Sequence, residues 1–491
     1  MRKLRITTVD DSQSKRWKSK LRQLGATCVA NLIALSFGVT MAWAIPSLPL
    51  LKSGNPPLDG RNITVEEESL LASLVFLGAV AGSPVFSFIS QNYGRKIAGY
   101  ATVIPFIIGW LPVVFTESLY LFYVFRFISG VAAGGVTAFC PMYVGEIAED
   151  SIRGALGALR TPIGNVAFIF YCGIAPYMTI RDMGIICLIL PLVFVFGFYW
   201  LPESPLYLVR RQKHLEAMNS LLWLRGGNVQ AAEMEIMKLT VVVKESATKS
   251  VSIKQIMSSR ATRRGLIICI VLAASQQLSG LSVVLTYAVS IFELAGSTVS
   301  PNIATVILAS VQFFGAFASS VFTDLLGRRI LIISSQIVVS ISLIILGIYF
   351  FLQEKMYDMS SYGLIPIICL AFYVFSLSVG LMSVTFTIMS EVFSPEARGI
   401  ATTVTTMIVW IMAFLSTQFY ANIVDVLGIY GCYWLFAGIC ISCTVFTIFK
   451  VPETKNRSLQ SILRELNGDD VKSDVETVGA NATNTEEKDR Y

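Results

Sequence analysis

Twelve apolar runs, each about 20 residues long, dominate this chain and decide what it can be. They begin near residues 24, 69, 97, 119, 156, 184, 264, 301, 330, 364, 399 and 430. A helix of that length crosses the hydrocarbon core of a bilayer, and a water-soluble fold has no way to bury twelve of them. Composition agrees. Of 491 residues, 54% are hydrophobic and only 14% charged, whereas soluble domains carry roughly 25% charged residues. The chain reads as an all-α polytopic membrane protein, which excludes a coiled coil, a disordered chain, a disulfide scaffold and a nucleic-acid binder. The nine cysteines lie almost entirely inside apolar runs, where they read as small buried hydrophobes. The single histidine, His214, has no second His or Cys beside it, so no metal site is implied. Met1 to Arg22 is polar and basic and does not read as a cleavable signal.

Six runs precede and six follow a long polar stretch. The expected organisation is a terminal segment (1–23), a six-helix bundle (24–202), a central loop (203–263), a second six-helix bundle (264–451) and a tail (452–491). Within the loop, His214 to Leu224 and Val229 to Val243 have helix-forming composition. Eight Lys and Arg precede the first run and eleven fall between Glu203 and Arg264, while the opposite loops hold only Lys52, Arg61, Arg181 and Lys355. Positive residues stay on the cytoplasmic side, so both termini are expected to be cytosolic. Asn62, in the sequon Asn62-Ile63-Thr64, then falls in the first outer loop as a glycosylation candidate. From Asn467 onward the tail is acidic, without apolar periodicity, and reads as disordered.

The two halves repeat one another. Gly94-Arg95-Lys96 after the second run recurs as Gly327-Arg328-Arg329 after the eighth. Glu146 and Arg153 recur as Glu391 and Arg398 at the same spacing, and Pro202-Glu203-Ser204 recurs as Pro452-Glu453-Thr454. Duplicated halves are the arrangement in which a solute site lies near the midplane and the halves rock against each other. The charges at these turns have two open readings. They are interfacial anchors that fix topology, or a gate whose ion pairs stabilise one state of a rocking equilibrium.

The series Arg126-Phe127-Ile128-Ser129-Gly130, Pro141 through Ala148, Arg153-Gly154-Ala155-Leu156-Gly157, Pro202-Glu203-Ser204-Pro205, Gln276-Gln277-Leu278-Ser279-Gly280, Asp324 through Arg329 and Pro452-Glu453-Thr454-Lys455 resembles the sugar porter family of the major facilitator superfamily. Arg160-Thr161-Pro162-Ile163-Gly164-Asn165 and Leu224-Arg225-Gly226 are most similar to its insect facilitated trehalose transporters. The resemblance implies a major facilitator fold and a cytoplasmic gate made of Arg95, Glu146, Arg153, Asp324, Arg328, Glu391 and Arg398. It also implies Tyr287 at an outer gate, and a sugar site including Gln276, Gln277, Thr161, Ser282, Gln312, Phe386 and Trp410. Gln91 and Asn92 stand where the family usually has Asp and Arg, so the first-half latch is expected to be the weaker.

Several pocket positions depart from the family pattern. Thr161 replaces Gln, Ser282 and Gln312 replace Asn, Ser378 replaces Glu, Ser383 and Thr385 replace two prolines, and Phe386 replaces Trp. Sugar hydroxyls need partners in fixed directions, so such losses shift specificity. Proton-coupled members carry a carboxylate in the first span, and Phe37-Gly38-Val39-Thr40-Met41 has none. With no nucleotide-binding loop either, the expectation is a facilitative, non-enzymatic carrier for a sugar such as trehalose or glucose at the plasma membrane, without cofactor, nucleic acid or obligate protein partner. The alternatives are a carrier of another polyol-like solute and a non-transporting sensor on the same scaffold.

Overall fold

A computed structural model describes residues 17–54, 58–248, 259–393 and 395–468, leaving aside the side chains of 245–248, 320, 324, 360, 395 and 396. It contains twelve helices long and apolar enough to cross a membrane: Trp17–Lys52, Val65–Tyr93, Arg95–Phe115, Leu119–Ile147, Arg153–Tyr177, Ile180–Phe198, Arg260–Thr286, Pro301–Thr323, Arg328–Glu354, Ile365–Val392, Ala397–Gln418 and Tyr420–Lys450. We number these spans one to twelve. The side of the molecule on which both ends of the chain emerge is called the terminal face, and the opposite side the far face.

Most spans start within a few residues of the apolar runs, and the two exceptions have physical causes. The first span is already helical at Trp17, and its polar first turns are held by tertiary bonds rather than by lipid. Ser19 Oγ and Gln23 Nε2 donate to Glu149 Oε1 at 2.7 and 2.8 Å, and the Glu149 amide donates back to Gln23 Oε1 at 2.8 Å. The twelfth span begins at Tyr420 because a helix on the far side of a kink joins it at Gly428, where φ is 72°.

Within the first half, spans two and four pack backbone against backbone. A Cβ on Gly78 or Gly82 of span two would lie 2.1 Å from the carbonyl oxygen of Phe127 or Val131, and one on Gly130 of span four 2.1 Å from that of Val75. Gly134 faces Ala79 in the same way. Two small-xxx-small pairs thus face each other, the device by which membrane helices gain close packing where no hydrophobic force separates helix from lipid.

The central connection holds helices Pro205–Arg210, His214–Leu224 and Val229–Thr248, in agreement with composition. Arg225, just after the second, is buried. It pairs with Glu235 through two 2.6 Å bonds and donates to the Ile147 carbonyl at 3.1 Å, which ties the connection to the end of span four. The part of the tail expected to be disordered lies mostly outside the described residues, but a short helix, Leu459–Asn467, precedes it. Ser458 caps this helix and Ile462 and Leu466, one turn apart, are buried. Nine residues are too few to show in an apolar-run reading.

Candidate functional site

The repeated sequence landmarks build one network twice on the terminal face. In the first half, Gly94 turns the chain between spans two and three at φ 112°, and the Glu203 carboxylate caps span three by accepting from the Arg95 and Lys96 amides, both at 3.0 Å. The Arg95 side chain grips Glu146 through two 2.7 Å bonds and also donates to the Ser90 carbonyl, while Ser204 Oγ donates to the same Glu146 carboxylate. In the second half, Gly327 has φ 89°, and Glu453 accepts from the Arg328 and Arg329 amides at 3.0 and 3.1 Å. Arg328 meets Glu391 at 2.8 Å, and Thr454 Oγ1 donates to Glu391 at 2.6 Å. Carboxylates at these helix N-termini satisfy free amides and sit at the positive end of the dipole.

The two capping carboxylates differ in their environment. Burial pushes the Glu203 carboxyl above its ordinary range despite its backbone donors. Burial acts the same way on Glu453, but amide donors from Lys455, Arg328, Arg329 and Thr454 outweigh it and hold that carboxyl below its ordinary range.

The anticipated gate set is only partly assembled. Arg95 with Glu146 and Arg328 with Glu391 come together. Arg153 instead pairs with exposed Asp150 at 2.8 Å, and Arg398 reaches the Phe393 carbonyl at 3.5 Å. The Asp324 side chain lies outside the described residues. Gln91 and Asn92 are exposed, and the Asn92 amide donates to the Phe88 carbonyl of its own helix. A cavity of about 250 Å³ on this face is lined by Glu391, Arg398, Thr454 and Arg457, with Leu459 and Ile462 of the tail helix at its wall.

The halves join toward the far face. Trp410 of span eleven stacks on Phe76 of span two, with centroids 6.2 Å apart, and meets Phe37 of span one edge-on at 6.4 Å. Nearer the far face, Ser73 Oγ donates to Gln418 Oε1 at 2.6 Å, again from span two to span eleven. Tyr287 stacks on Tyr420 at 5.1 Å, and its hydroxyl lies near Ser69 and Glu68 of span two. The ion pairs described above on the terminal face, by contrast, each close within one half.

Between these two regions the spans carrying the expected pocket residues are irregular. Span seven breaks at Gly280, whose φ of 91° no other residue tolerates easily and where a Cβ would strike the Phe436 ring. The break follows directly on Gln276 and Gln277, both buried. Gln277 Oε1 accepts from Ser282 Oγ at 2.7 Å, whereas Gln276 Oε1 is buried without a partner. Span ten widens into a π-turn at Ser378–Met382. Its freed carbonyls are taken up by hydroxyls, Ser383 Oγ donating to Ser378 O at 2.8 Å and Thr385 Oγ1 to Leu381 O at 2.6 Å. Such turns are frequent at functional sites.

Trp410 Nε1, Asn165 Nδ2 and Ser378 Oγ are likewise buried without partners. Buried polar groups are normally bonded, so these atoms are the natural place for a polar ligand. Gln312 is buried and Thr161 half-buried, but Phe386 is 38% exposed and makes no ring contact with Trp410. The sequence reading missed Ser73 and Gln418, whose only signal is a polar side chain near the end of an otherwise apolar helix.

Fold and site together define a twelve-span membrane carrier of two six-helix bundles, closed toward the far face. Residues 38–466 match the family described as "Sugar (and other) transporter". The chain belongs to this sugar transporter family. It is 33% identical over 445 residues to a facilitated trehalose transporter of Bombyx mori, covering 90% of this chain and 86% of that protein. To the corresponding protein of Polypedilum vanderplanki it is 32% identical over 451 residues, covering 90% and 88%. A longer relative of the same description from Aedes aegypti is 30% identical, over 91% of this chain and 55% of its own length. Among solved structures, the inward open xylose transporter XylE of E. coli superposes with a TM-score of 0.74 at 20% identity, over 90% of this chain and 98% of that one. XylE bound to 6-bromo-6-deoxy-D-glucose superposes with a TM-score of 0.73, also at 20% identity, over 91% and 99%.

Proposed function

We propose that this chain is a facilitative carrier of a sugar such as trehalose or glucose, moving it by alternating access between the bundles 24–202 and 264–451. The observation that carries this reading is the buried, unpartnered Gln276 Oε1 beside the Gly280 break of span seven. A discontinuous helix with free polar groups near the bundle interface is how carriers bind solutes at the midplane. The relatives' description as facilitated trehalose transporters supports the cargo class. As a carrier the protein is not an enzyme.

Uniport is supported by Arg126. This buried guanidinium of span four donates to the carbonyls of Leu71, Thr40 and Ala72 at 2.8, 2.9 and 3.3 Å, and lies over the Trp43 ring. It is satisfied by backbone rather than by a carboxylate that a proton could discharge. The termini and residues 203–263 face the cytosol in this reading, the protein resides in the plasma membrane, and exposed Asn62 on the far face accepts a glycan.

The test is initial uptake of labelled trehalose, glucose, fructose and myo-inositol into cells lacking hexose carriers, with Gln276→Ala alongside. Saturable uptake that is strongly weakened in the variant at low sugar concentration and indifferent to a collapsed proton gradient is the expected result. Uptake that vanishes with the gradient overturns uniport. Absence of uptake by protein verified at the surface overturns the carrier reading in favour of a sensor.

A further inference from the structure

Among the described residues, one arginine set well inside a span makes no ion pair and no hydrogen bond. A guanidinium at membrane depth is normally ion-paired or saturated by carbonyls, as Arg126 is. Arg160 is different. Among the described residues it has neither ion pair nor hydrogen bond, and its guanidinium lies over the face of Phe37, 5.7 Å from the centroid. It stands seven residues after Arg153, roughly 10 Å into span five. Its side chain is half-buried among the neighbouring spans.

Its surroundings point toward the pocket. Phe37, under the guanidinium, meets Trp410 at 6.4 Å, and the Trp410 Nε1 is buried without a partner. Asn165, further along span five, has its Nδ2 in the same condition. An aromatic row suits the apolar face of a sugar ring, and a planar guanidinium at its end presents a fork that matches carboxylate or phosphate oxygens. Keeping such a charge unpaired at this depth is costly, and a ligand that brings the counter-charge removes the cost.

We propose that Arg160 recognises an anionic group on the cargo, so that the carrier accepts sugars bearing a carboxylate or a phosphate and not only neutral sugars. This rests on the carrier reading above. The experiment uses the full chain in proteoliposomes and measures initial uptake of glucose, glucuronate and glucose 6-phosphate at equal concentration, for the native protein, Arg160→Gln and Arg160→Lys. The expected result is a ratio of anionic to neutral uptake about tenfold lower in Arg160→Gln and partly restored in Arg160→Lys. Whichever anionic sugar carries the effect names the group, and an inside-positive potential set with potassium and valinomycin accelerates its uptake but not that of glucose.

An unchanged ratio, with both proteins moving glucose, overturns the proposal and leaves the carrier reading intact. Native protein that moves none of the three sugars, and no trehalose in the same proteoliposomes, overturns the carrier reading itself. Should Arg160→Gln fail to fold, the ratio in Arg160→Lys and competition of glucose uptake by glucuronate in the native protein decide the question. Absence of competition by either anionic sugar refutes the assignment.

Discussion

Arg95 and Glu146 form a two-pronged ion pair on the terminal face, both bonds 2.7 Å, with the arginine 2% and the glutamate 12% exposed. The equivalent pair, Arg328 with Glu391, is wetter, at 14% and 26%. The departures at Gln91 and Asn92, from which a weaker first-half latch is expected, lie on the surface and do not touch Arg95 or Glu146 in the hydrogen bonds described. Removing one member of a buried pair strands the other charge, at a cost of about 3–5 kcal/mol. Arg95→Met is therefore expected to lower the unfolding midpoint of purified protein clearly more than Arg328→Met, as followed by tryptophan fluorescence during heating. Equal losses would show that solvent access does not set the strength of the two networks.

The capping carboxylates predict opposite responses to pH. The Glu453 carboxyl is held below its ordinary 4.5, so its contribution is complete above that value and is lost as pH falls through the lowered one. The Glu203 carboxyl is raised, so its contribution is greatest at low pH and shrinks as pH climbs through the raised value. At neutral pH, Glu453→Gln is expected to destabilise more than Glu203→Gln. Thermal unfolding from about pH 7 down to about pH 4 is the measurement. The native protein should lose more stability on acidification than Glu453→Gln does.

The far-face closure rests on few polar contacts, which makes each one measurable. Ser73 and Gln418 join the halves by one 2.6 Å bond, and a net hydrogen bond contributes about 0.5–1.5 kcal/mol, equivalent to roughly a two- to tenfold change in population. Gln418→Ala is expected to open the far face more often. The readout is labelling of a cysteine placed at Tyr420 by an impermeant maleimide, which should proceed several-fold faster in the Gln418→Ala background. An unchanged rate would mean that the aromatic contacts of Trp410 alone hold this face.

Close packing of spans two and four makes a sharper structural prediction. A Cβ on Gly130 meets backbone, 2.1 Å from the Val75 oxygen, whereas one on Gly145 of the same helix meets nothing within 4 Å. Gly130→Ala is expected to abolish surface expression, and Gly145→Ala to leave it intact. Both are read by surface biotinylation. The displaced atoms in the first case are main chain, which has no rotamer to escape into.

What could be read in the sequence was what local composition encodes. Apolar runs mark the spans because lipid imposes a length on them, and the duplicated Gly-Arg and Pro-Glu landmarks mark the turns. Pairing was not legible. The resemblance groups Arg95, Glu146 and Arg153 in one gate without saying which pair, but Glu146 is taken by Arg95, and Arg153 is left to Asp150 at the surface. The π-turn at Ser378 was equally hidden, because it arises where Ser383 and Thr385 hydroxyls cap carbonyls, a choice made by packing. Gln276 and Gln277 were found as a pair, but which is free depends on Ser282, five residues past Gln277 and across the Gly280 break.

That difference between the two glutamines separates a binding role from a structural one. Gln277 Oε1 already accepts from Ser282 Oγ at 2.7 Å, so Gln277→Ala leaves a buried hydroxyl without its acceptor and is expected to cost about 1–3 kcal/mol of stability. Gln276 Oε1 is buried and unpartnered before any solute arrives, so its removal relieves a polar group rather than stranding one. Gln276→Ala is therefore expected to keep or slightly raise the unfolding midpoint of the unliganded protein while raising the KM for sugar about tenfold and abolishing the stabilisation that sugar confers. Gln277→Ala should lower the unliganded midpoint yet still be stabilised by sugar. Measuring unfolding with and without sugar for both variants decides between them. If Gln276→Ala retains full sugar stabilisation, the unpartnered oxygen is not a ligand contact and the site must be sought around Asn165 and Trp410.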